Sequence, residues 1–435
     1  MNKQAIVRID ALVLWFFVTL FCVASLVMYY YTPGLKAHFE GDSIRYHFIA
    51  HNLLTLTRIP LEVLGYPSLL AVLYRIWDGA LIVVLAQMLL SILSLLLIRR
   101  IVRRLTDECA GQIAATCFWG LNLGFLIYTQ LILIEVTLAF LLLLFVDRVI
   151  VYYQRCSLWY CMQAAFVLGV SILFRPAALF YASSLAFLLL FITKISFVKR
   201  MLAALVFLLV FYVPILCYMT INYFYFGAFV ICPVMNINLF AIYYPKVQAA
   251  FQVHSIAPNE LTQAIERDIA HEHITSATQI NLLRLWMQQP AITVGIWLLN
   301  MVKSFVGLYQ TQWKLYFELA DKATSYFCLS GNWLSCMAQY IYAGTMQRWL
   351  HLLGWYELCY LIVEYSMVGC AIIGLLHRRY YWLLFFAITF VWYFAFITGP
   401  DGSGRFRMMM EPWLLVLAAL GIAFLVARAH RKVPA

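Results

Sequence analysis

Ala80–Arg104, ALIVVLAQMLLSILSLLLIRRIVRR, is the stretch that decides how this chain folds. Its apolar part, Ala80 to Ile98, is long enough to cross a bilayer, which takes about 20 predominantly apolar residues. It closes on Arg99, Arg100, Arg103 and Arg104. Lys and Arg are retained on the cytoplasmic side of short loops beside spans, so this run ends inside. Lys3 and Arg8 precede the first apolar run, Ala11 to Tyr31, so the chain also starts inside. Thr32 to Gly79 must then lie on the outer face. The first run is too long and ends too aromatic (Met28-Tyr29-Tyr30-Tyr31) for a cleaved signal peptide, and it is expected to stay as a span.

Composition agrees. The chain of 435 residues is 65% hydrophobic and 11% charged, with a mean hydropathy of +0.87. Soluble globular proteins carry an apolar share nearer half, so a soluble domain is excluded. The formal charge of +11 sits mainly where apolar runs end on one side. Topology therefore accounts for it, and no nucleic-acid partner is expected.

Further windows of span length run at 110–128, 131–150, 158–174, 177–193, 201–220, 357–376, 380–398 and 412–427. Basic clusters at Arg148 to Arg155, at Lys194 to Arg200, at Arg378-Arg379 and at Arg428 to Lys432 fall where the alternation needs an inside end. The expected fold is an all-α polytopic bundle of about ten spans, roughly 9–13, with both termini cytoplasmic. It divides into a transmembrane module over 1–220, an outer-face region over 221–356 and a second transmembrane module over 357–435. The run Ala291 to Tyr309 carries Asn300 and Lys303 and is expected to lie at the outer interface, with a pair of crossings as the alternative. Most of the eleven cysteines lie in apolar runs and act as small hydrophobes. Cys328 and Cys336 fall in an outer segment, where an oxidising compartment would allow them to pair. His271-Glu272-His273 lacks zinc-ligand spacing and reads as a polar loop.

The outer segment Glu40-Gly41-Asp42-Ser43-Ile44-Arg45-Tyr46-His47 puts carboxylates just past the first span. The spacing from Asp42 to Thr57 predicts a short interfacial helix with Ile44, Phe48, His51 and Leu54 on one stripe. Asp42 at its start reads either as an N-cap or as a general base toward a hydroxyl at the lipid–water boundary. Glu40 is a second acid of the same kind. Glu135 opens an inward-going span, where a carboxylate needs a polar cavity. Arg175 is expected at the outer end of its span; at mid-membrane it would cost about 2.5–3.5 kcal/mol. Arg405 and Arg407 lie in the last outer loop beside Gly399 to Gly404, and Arg45 and Arg58 are weaker cations of the same type. Arg175 reads as a phosphate ligand or as an interfacial anchor, and Arg405 and Arg407 read as phosphate or sugar ligands or as part of a solvated loop. Glu364 falls deeper, and pairing with a neighbouring span is expected of it.

The order Asp42-x-x-x-Tyr46-x-x-x-Ala50, then Tyr66-Pro67-Ser68-Leu69-Leu70, then a span ending in arginines resembles the GT-C superfamily of integral-membrane glycosyltransferases. The likeness is to the polyprenyl-phosphate-sugar-dependent branch, with protein O-mannosyltransferases and the lipid A aminoarabinose transferase. It continues at Ile134-Glu135-Val136-Thr137, at Gly169 to Arg175-Pro176 and at Arg405-Phe406-Arg407 to Glu411-Pro412. Many members carry two adjacent acids in the first outer loop, whereas here Ser43 follows Asp42. The resemblance implies a polyprenyl-phosphate-linked sugar donor and a hydroxyl acceptor on the outer face. Asp42 would be the base, and Glu40, Arg45, Tyr46, Arg58, Glu135, Arg175, Arg405 and Arg407 would hold substrate. Transfer would proceed with inversion and without a cofactor. A divalent ion between Glu40 and Asp42 is the less favoured variant.

The expected setting is a bacterial inner membrane with the site facing outward, the alternative being the endoplasmic reticulum. Two other functions are compatible with the pattern. A polymerase or ligase of lipid-linked glycans would depend more on the arginines than on Asp42. A transporter or flippase would keep polar residues and broken helices at mid-membrane.

Overall fold

The computed structural model describes residues 3–31, 42–55, 63–192, 194–227, 229–231, 243–253, 263, 265, 276–318, 333–342, 347–378, 380–399 and 404–432. Glu40, Arg58, Cys328, the side chain of Cys336 and the His271-Glu272-His273 loop lie outside them. All regular structure among the described residues is helical. The first half holds α1 (Lys3–Tyr31), α2 (Asp42–Thr55), α3 (Gly65–Ile76), α4 (Ala80–Leu105), α5 (Cys109–Leu121), α6 (Leu123–Gln130), α7 (Glu135–Arg155), α8 (Leu158–Phe174), α9 (Tyr181–Leu189) and α10 (Phe197–Phe226). There follow α11 (Tyr244–Val253), α12 (Ser276–Gln288), α13 (Pro290–Val306), α14 (Gln310–Glu318), α15 (Trp333–Tyr342), α16 (Arg348–His377), α17 (Tyr381–Ile397) and α18 (Arg407–Lys432).

Among the described residues six helices are long and apolar enough to cross a membrane: α1, α4, α7, α10, α16 and the one built on α18. The number rises to eight if the bent pairs α5–α6 and α13–α14 each count as one span. This is consistent with an integral membrane protein and is fewer than the sequence windows suggest. Windows 158–174 and 380–398 form helices of 17 residues, and 177–193 holds one of nine. Pro176 explains one of these stops: the residue before a proline is pushed out of the helical region. Arg175 accordingly has φ −150° and ψ 121° and ends α8 in extended backbone. The window at 291–309 is helical over Pro290–Val306. This helix, α13, is followed by α14 across a 72° bend.

α18 is the axis of the bundle and packs against α4, α5, α7, α16 and α17. α8 packs between α7 and α10, and α2 lies on α3. Where lipid solvates apolar surface as well as protein does, small residues that let backbones approach drive such packing. At Gly421 a Cβ would stand 2.1 Å from the Met367 carbonyl oxygen of α16, on backbone that cannot swing away. Gly421→Val is expected to cost about 2–4 kcal/mol, seen as a lowered thermal unfolding midpoint of the purified protein. An unchanged midpoint would show that the two helices are not in close register there. α1 is tied on by a bidentate pair, Arg99 to Asp10 at 2.9 and 2.6 Å.

Helix α2 forms where expected, but its packed face differs from its apolar stripe. Ser43, Ile49 and Ala50 are buried, whereas Ile44 and Phe48 are 56% and 60% exposed. An exposed apolar stripe on such a helix is what a lipid-facing side requires. Tyr243, Tyr244, Val247, Phe251, Ile265, Leu282 and Leu285 form a second small apolar cluster in the 221–356 region. Trp297 ties α13 to α17 by donating to the Phe396 carbonyl at 3.0 Å.

Candidate active site

Four helix ends meet at one rim of the bundle. Asp42 starts α2, Glu135 starts α7, Arg175 follows α8, and Arg405 sits in the short 3-10 turn Gly404–Phe406 that leads into α18. The turn is held close, because a Cβ on Gly404 would stand 2.6 Å from the Gly307 carbonyl oxygen. Arg405 is the centre of the cluster: its Nη1 donates to Asp42 Oδ2 at 2.8 Å, and its Nε donates to Glu135 Oε1. Arg175 Nη1 reaches the same Glu135 oxygen at 3.4 Å, and its guanidinium lies 4.4 Å over the Phe406 ring. Residues separated by up to 363 positions in sequence are thus joined in one ion-pair chain.

Burial alone would raise the Asp42 carboxyl. Arg405, by charge and by hydrogen bond, then Arg175 and Arg45, outweigh burial and hold it below its ordinary value. Asp42 is therefore ionised at neutral pH and 43% exposed at its side chain, which leaves it open to a ligand. Glu135 is fully buried, and among the described residues its Oε2 has no hydrogen-bond partner while Oε1 serves both arginines. Three of the helices meeting here start at the rim, and their N-terminal dipole ends add positive potential.

The wall behind Asp42 is aromatic. Tyr46 packs edge-on against Tyr66 at 5.3 Å, and burial, with Asp42 and Glu135 adding to it against Arg405, pushes its hydroxyl up to about 12. Tyr46 stays protonated and can only donate or accept a hydrogen bond. Tyr66 donates to Gln87 Oε1 at 3.2 Å, and Gln87 Nε2 donates to the carbonyls of Thr129 and Leu131 at 3.1 and 2.8 Å. This relay fixes the bend that delivers Glu135. On the other side of α2, His47 Nδ1 lies 3.0 Å from the Tyr74 hydroxyl and His51 stacks on the Tyr74 ring at 5.2 Å.

Burial, with His51 beside it, lowers the His47 pKa, against a raising contribution from Asp78. The folded state thus prefers neutral His47. Its stabilisation is complete above the ordinary histidine value of 6.5 and is lost as pH falls below it toward the lowered folded value. Amide protection over 42–55, taken relative to the intrinsic exchange rate at each pH, is expected to fall below about pH 6. Protection that stays constant down to pH 5 would count against this docking contact.

Arg407 departs from expectation. It is fully buried, its guanidinium is 4.1 Å over Tyr309, and protein groups occupy its donors. Nε meets Glu411 Oε2 at 2.9 Å and the Tyr309 hydroxyl at 3.3 Å. Nη1 donates to the Phe305 and Gly307 carbonyls at 3.2 and 2.9 Å, and Nη2 to Glu357 Oε1 at 3.0 Å. Glu357 also accepts from the Tyr309 and Gln310 amides at 2.6 and 3.0 Å, and Asn122 Nδ2 donates to Glu411. Arg407 is a clamp across the α13–α14 break, set apart from the rim. Glu364 also departs: among the described residues both its oxygens are buried without a hydrogen-bond partner, with Glu411 and Arg407 acting on it through charge.

The structure thus brings together Asp42, Tyr46, Glu135, Arg175 and Arg405, with Arg45 in electrostatic reach of Asp42. Glu357 and Asn122 join Glu411 in a polar network that the sequence alone did not reveal; the i,i+4 spacing of Arg407 and Glu411 was its available signal. Among the described residues no group of three or more His, Cys, Asp or Glu side chains is placed to hold a metal ion. Compared with protein-family models, with curated proteins and with solved structures, the chain matches none of them.

Proposed function

We propose that the chain is an integral-membrane glycosyltransferase that moves a sugar from a polyprenyl-phosphate carrier to a hydroxyl acceptor at the rim bearing Asp42. The observation that carries this reading is the Asp42–Arg405–Glu135–Arg175 chain, an ionised acid and two cations at one mouth of an apolar bundle. The sequence resemblance to the GT-C superfamily supports it, and its motifs supply four of the helix ends that meet.

The mechanism follows from ion-pair exchange. With Arg405 donating to it, Asp42 is a weak base. A phosphate arriving at Arg405 and Arg175 competes for Arg405 and frees Asp42 to accept the acceptor's proton. The acceptor oxygen attacks the anomeric carbon, and the carbon–phosphate ester bond breaks with inversion. Arg405 and Arg175 meet the charge developing on the departing phosphate, where preorganised donors matter most. Glu135 holds the two guanidiniums in place, and its open Oε2 accepts a sugar hydroxyl.

The test supplies purified protein with a labelled polyprenyl-phosphate sugar and compares it with Asp42→Asn. Transfer by the wild type that persists undiminished in the variant would rule out the mechanism. A polymerase or ligase that relies on three rim arginines has less support, since Arg407 is buried among carboxylates. The transporter reading gains one observation, because unpartnered intramembrane carboxylates such as Glu364 mark ion paths in transporters. Glu364→Gln abolishing substrate movement across vesicles, with no sugar transfer by the wild type, would favour it.

A further inference from the structure

At the end of the bundle opposite Asp42 a second charged cluster is assembled around one acid. Asp147 is fully buried on α7, twelve residues along from Glu135, about 18 Å at the helical rise. Arg100 grips it in a bidentate pair, Nε to Oδ1 at 3.0 Å and Nη2 to Oδ2. Arg104 and Arg148 approach the same carboxylate from either side, each Nε at 3.4 Å. Three guanidiniums therefore share one carboxylate, and Arg155 adds a fourth positive charge within reach of Arg104.

The surplus is not simply dispersed into water. The three side chains are only 22–34% exposed. Arg148 spends one nitrogen on Gln163 at 3.2 Å, whereas the Arg104 guanidinium makes no hydrogen bond to the described residues beyond its long contact with Asp147. Half-buried cations of like sign at this spacing repel each other unless an anion joins them. The surroundings place the cluster at headgroup depth. Tyr153 stacks on Trp382 at 4.5 Å with planes 7° apart, Lys194 lies 4.1 Å over Tyr153, and Arg155 lies 5.6 Å over Tyr160. Such an aromatic and basic belt marks a membrane–water interface.

We propose that Arg104 and Arg148, flanking the Arg100–Asp147 pair between α4, α7 and α8, bind the phosphodiester of an anionic phospholipid in the leaflet away from Asp42. Arg100 and Asp147 form the rigid base. Arg104 and Arg148 supply the donors, and the aromatic belt receives the glycerol and upper acyl region. Basic pockets between transmembrane helices are suited to such headgroups. The site is independent of the sugar-transfer reading.

Native mass spectrometry of the full chain in detergent, offered phosphatidylglycerol, phosphatidylcholine or inorganic phosphate, tests it. Wild type should retain phosphatidylglycerol in preference to phosphatidylcholine. Removing two cations in R104Q/R148Q should weaken phosphatidylglycerol about 30-fold, while R104K/R148K, which keeps the charge, should stay within about threefold. If the glutamine pair fails to fold, Arg148→Gln alone should still show about a fivefold loss. Equal retention of the two lipids by wild type, or undiminished phosphatidylglycerol binding in the folded glutamine variants, would overturn the proposal. Inorganic phosphate bound as tightly as phosphatidylglycerol would overturn the lipid assignment in favour of a soluble anion.

Discussion

Asp42→Asn should lower turnover by about 10²–10⁴-fold, the range a positioned general base supplies. The substitution isolates the base because asparagine is as good a helix N-cap as aspartate and nearly the same shape. Its amide oxygen can still accept from Arg405. What disappears is the negative charge, and with it one of the two carboxylates that hold Arg405. That has an opposite consequence for binding: an Arg405 less tied to protein should hold a phosphate at least as well. The expected signature is therefore kcat falling steeply with KM unchanged or lower, measured with a labelled lipid-phosphate sugar. A residue that only capped α2 would leave both constants near wild type, and one that only bound acceptor would raise KM instead.

The pH dependence of the wild type should match. Arg405, Arg175 and Arg45 overcome the effect of burial and keep the Asp42 carboxyl below its ordinary value of 3.8. The ionised form then persists from neutral pH downward until the pH falls below that value. No acid limb due to Asp42 is expected in kcat/KM above about pH 5. The same sign governs stability: what the Asp42–Arg405 pair contributes is complete above the ordinary carboxylate range and fades as pH drops through the lowered one. With Asp42 this exposed, that contribution is under about 1 kcal/mol, so an acid loss of activity at pH 6 would have to come from elsewhere, His47 included.

The sequence displayed the rim because charges are scarce in it. When 11% of a chain is charged and most of that lies at one set of run ends, the acids and arginines left at the other ends stand out. Asp42, Glu135, Arg175 and Arg405 were each found at a run boundary, and boundaries at one membrane face must come together in a bundle. Arg407 was misplaced for a geometric reason. Two residues on from Arg405, at about 100–120° per residue through the 3-10 turn into α18, its side chain points to the far side. Arg405 therefore faces the rim and Arg407 the core. The partners of Arg407 were hidden for another reason. Tyr309 and Gln310 bind Glu357 through backbone amides freed at the α13–α14 bend, and a hydropathy window averages over such bends. The α5–α6 bend escaped the same way. Asn122 caps α6 there, accepting from the Gly124 and Phe125 amides at 2.9 and 3.3 Å while its Nδ2 reaches Glu411. Sequence periodicity carried the helices, and the breaks that shape the interior were set by contacts distant in sequence, 47 to 102 residues for the α13–α14 bend and over 200 for the α5–α6 bend.

Arg407→Leu should destabilise the folded protein by about 3–5 kcal/mol, the largest stability loss expected of any single change here. The leucine fills much of the volume, so the loss is electrostatic. Glu357 and Glu411 would be left buried without their cation, and the Gly307 carbonyl would lose its Arg407 donor, while the Phe305 carbonyl keeps the Tyr365 hydroxyl at 2.7 Å. Arg407→Lys keeps the charge but cannot span five acceptors with a planar fork, so it should recover only part of the loss. The decisive comparison is the triple change Arg407→Leu, Glu357→Gln and Glu411→Gln, which removes the cation and the stranded charges together. Its unfolding midpoint in detergent should lie above that of Arg407→Leu alone, because breaking a buried pair costs more than replacing it. If instead Arg407→Leu unfolds like wild type and loses only donor binding, Arg407 belongs to the substrate and not to the clamp. The boundary between rim and core would then have to be redrawn between Arg405 and the α13–α14 bend.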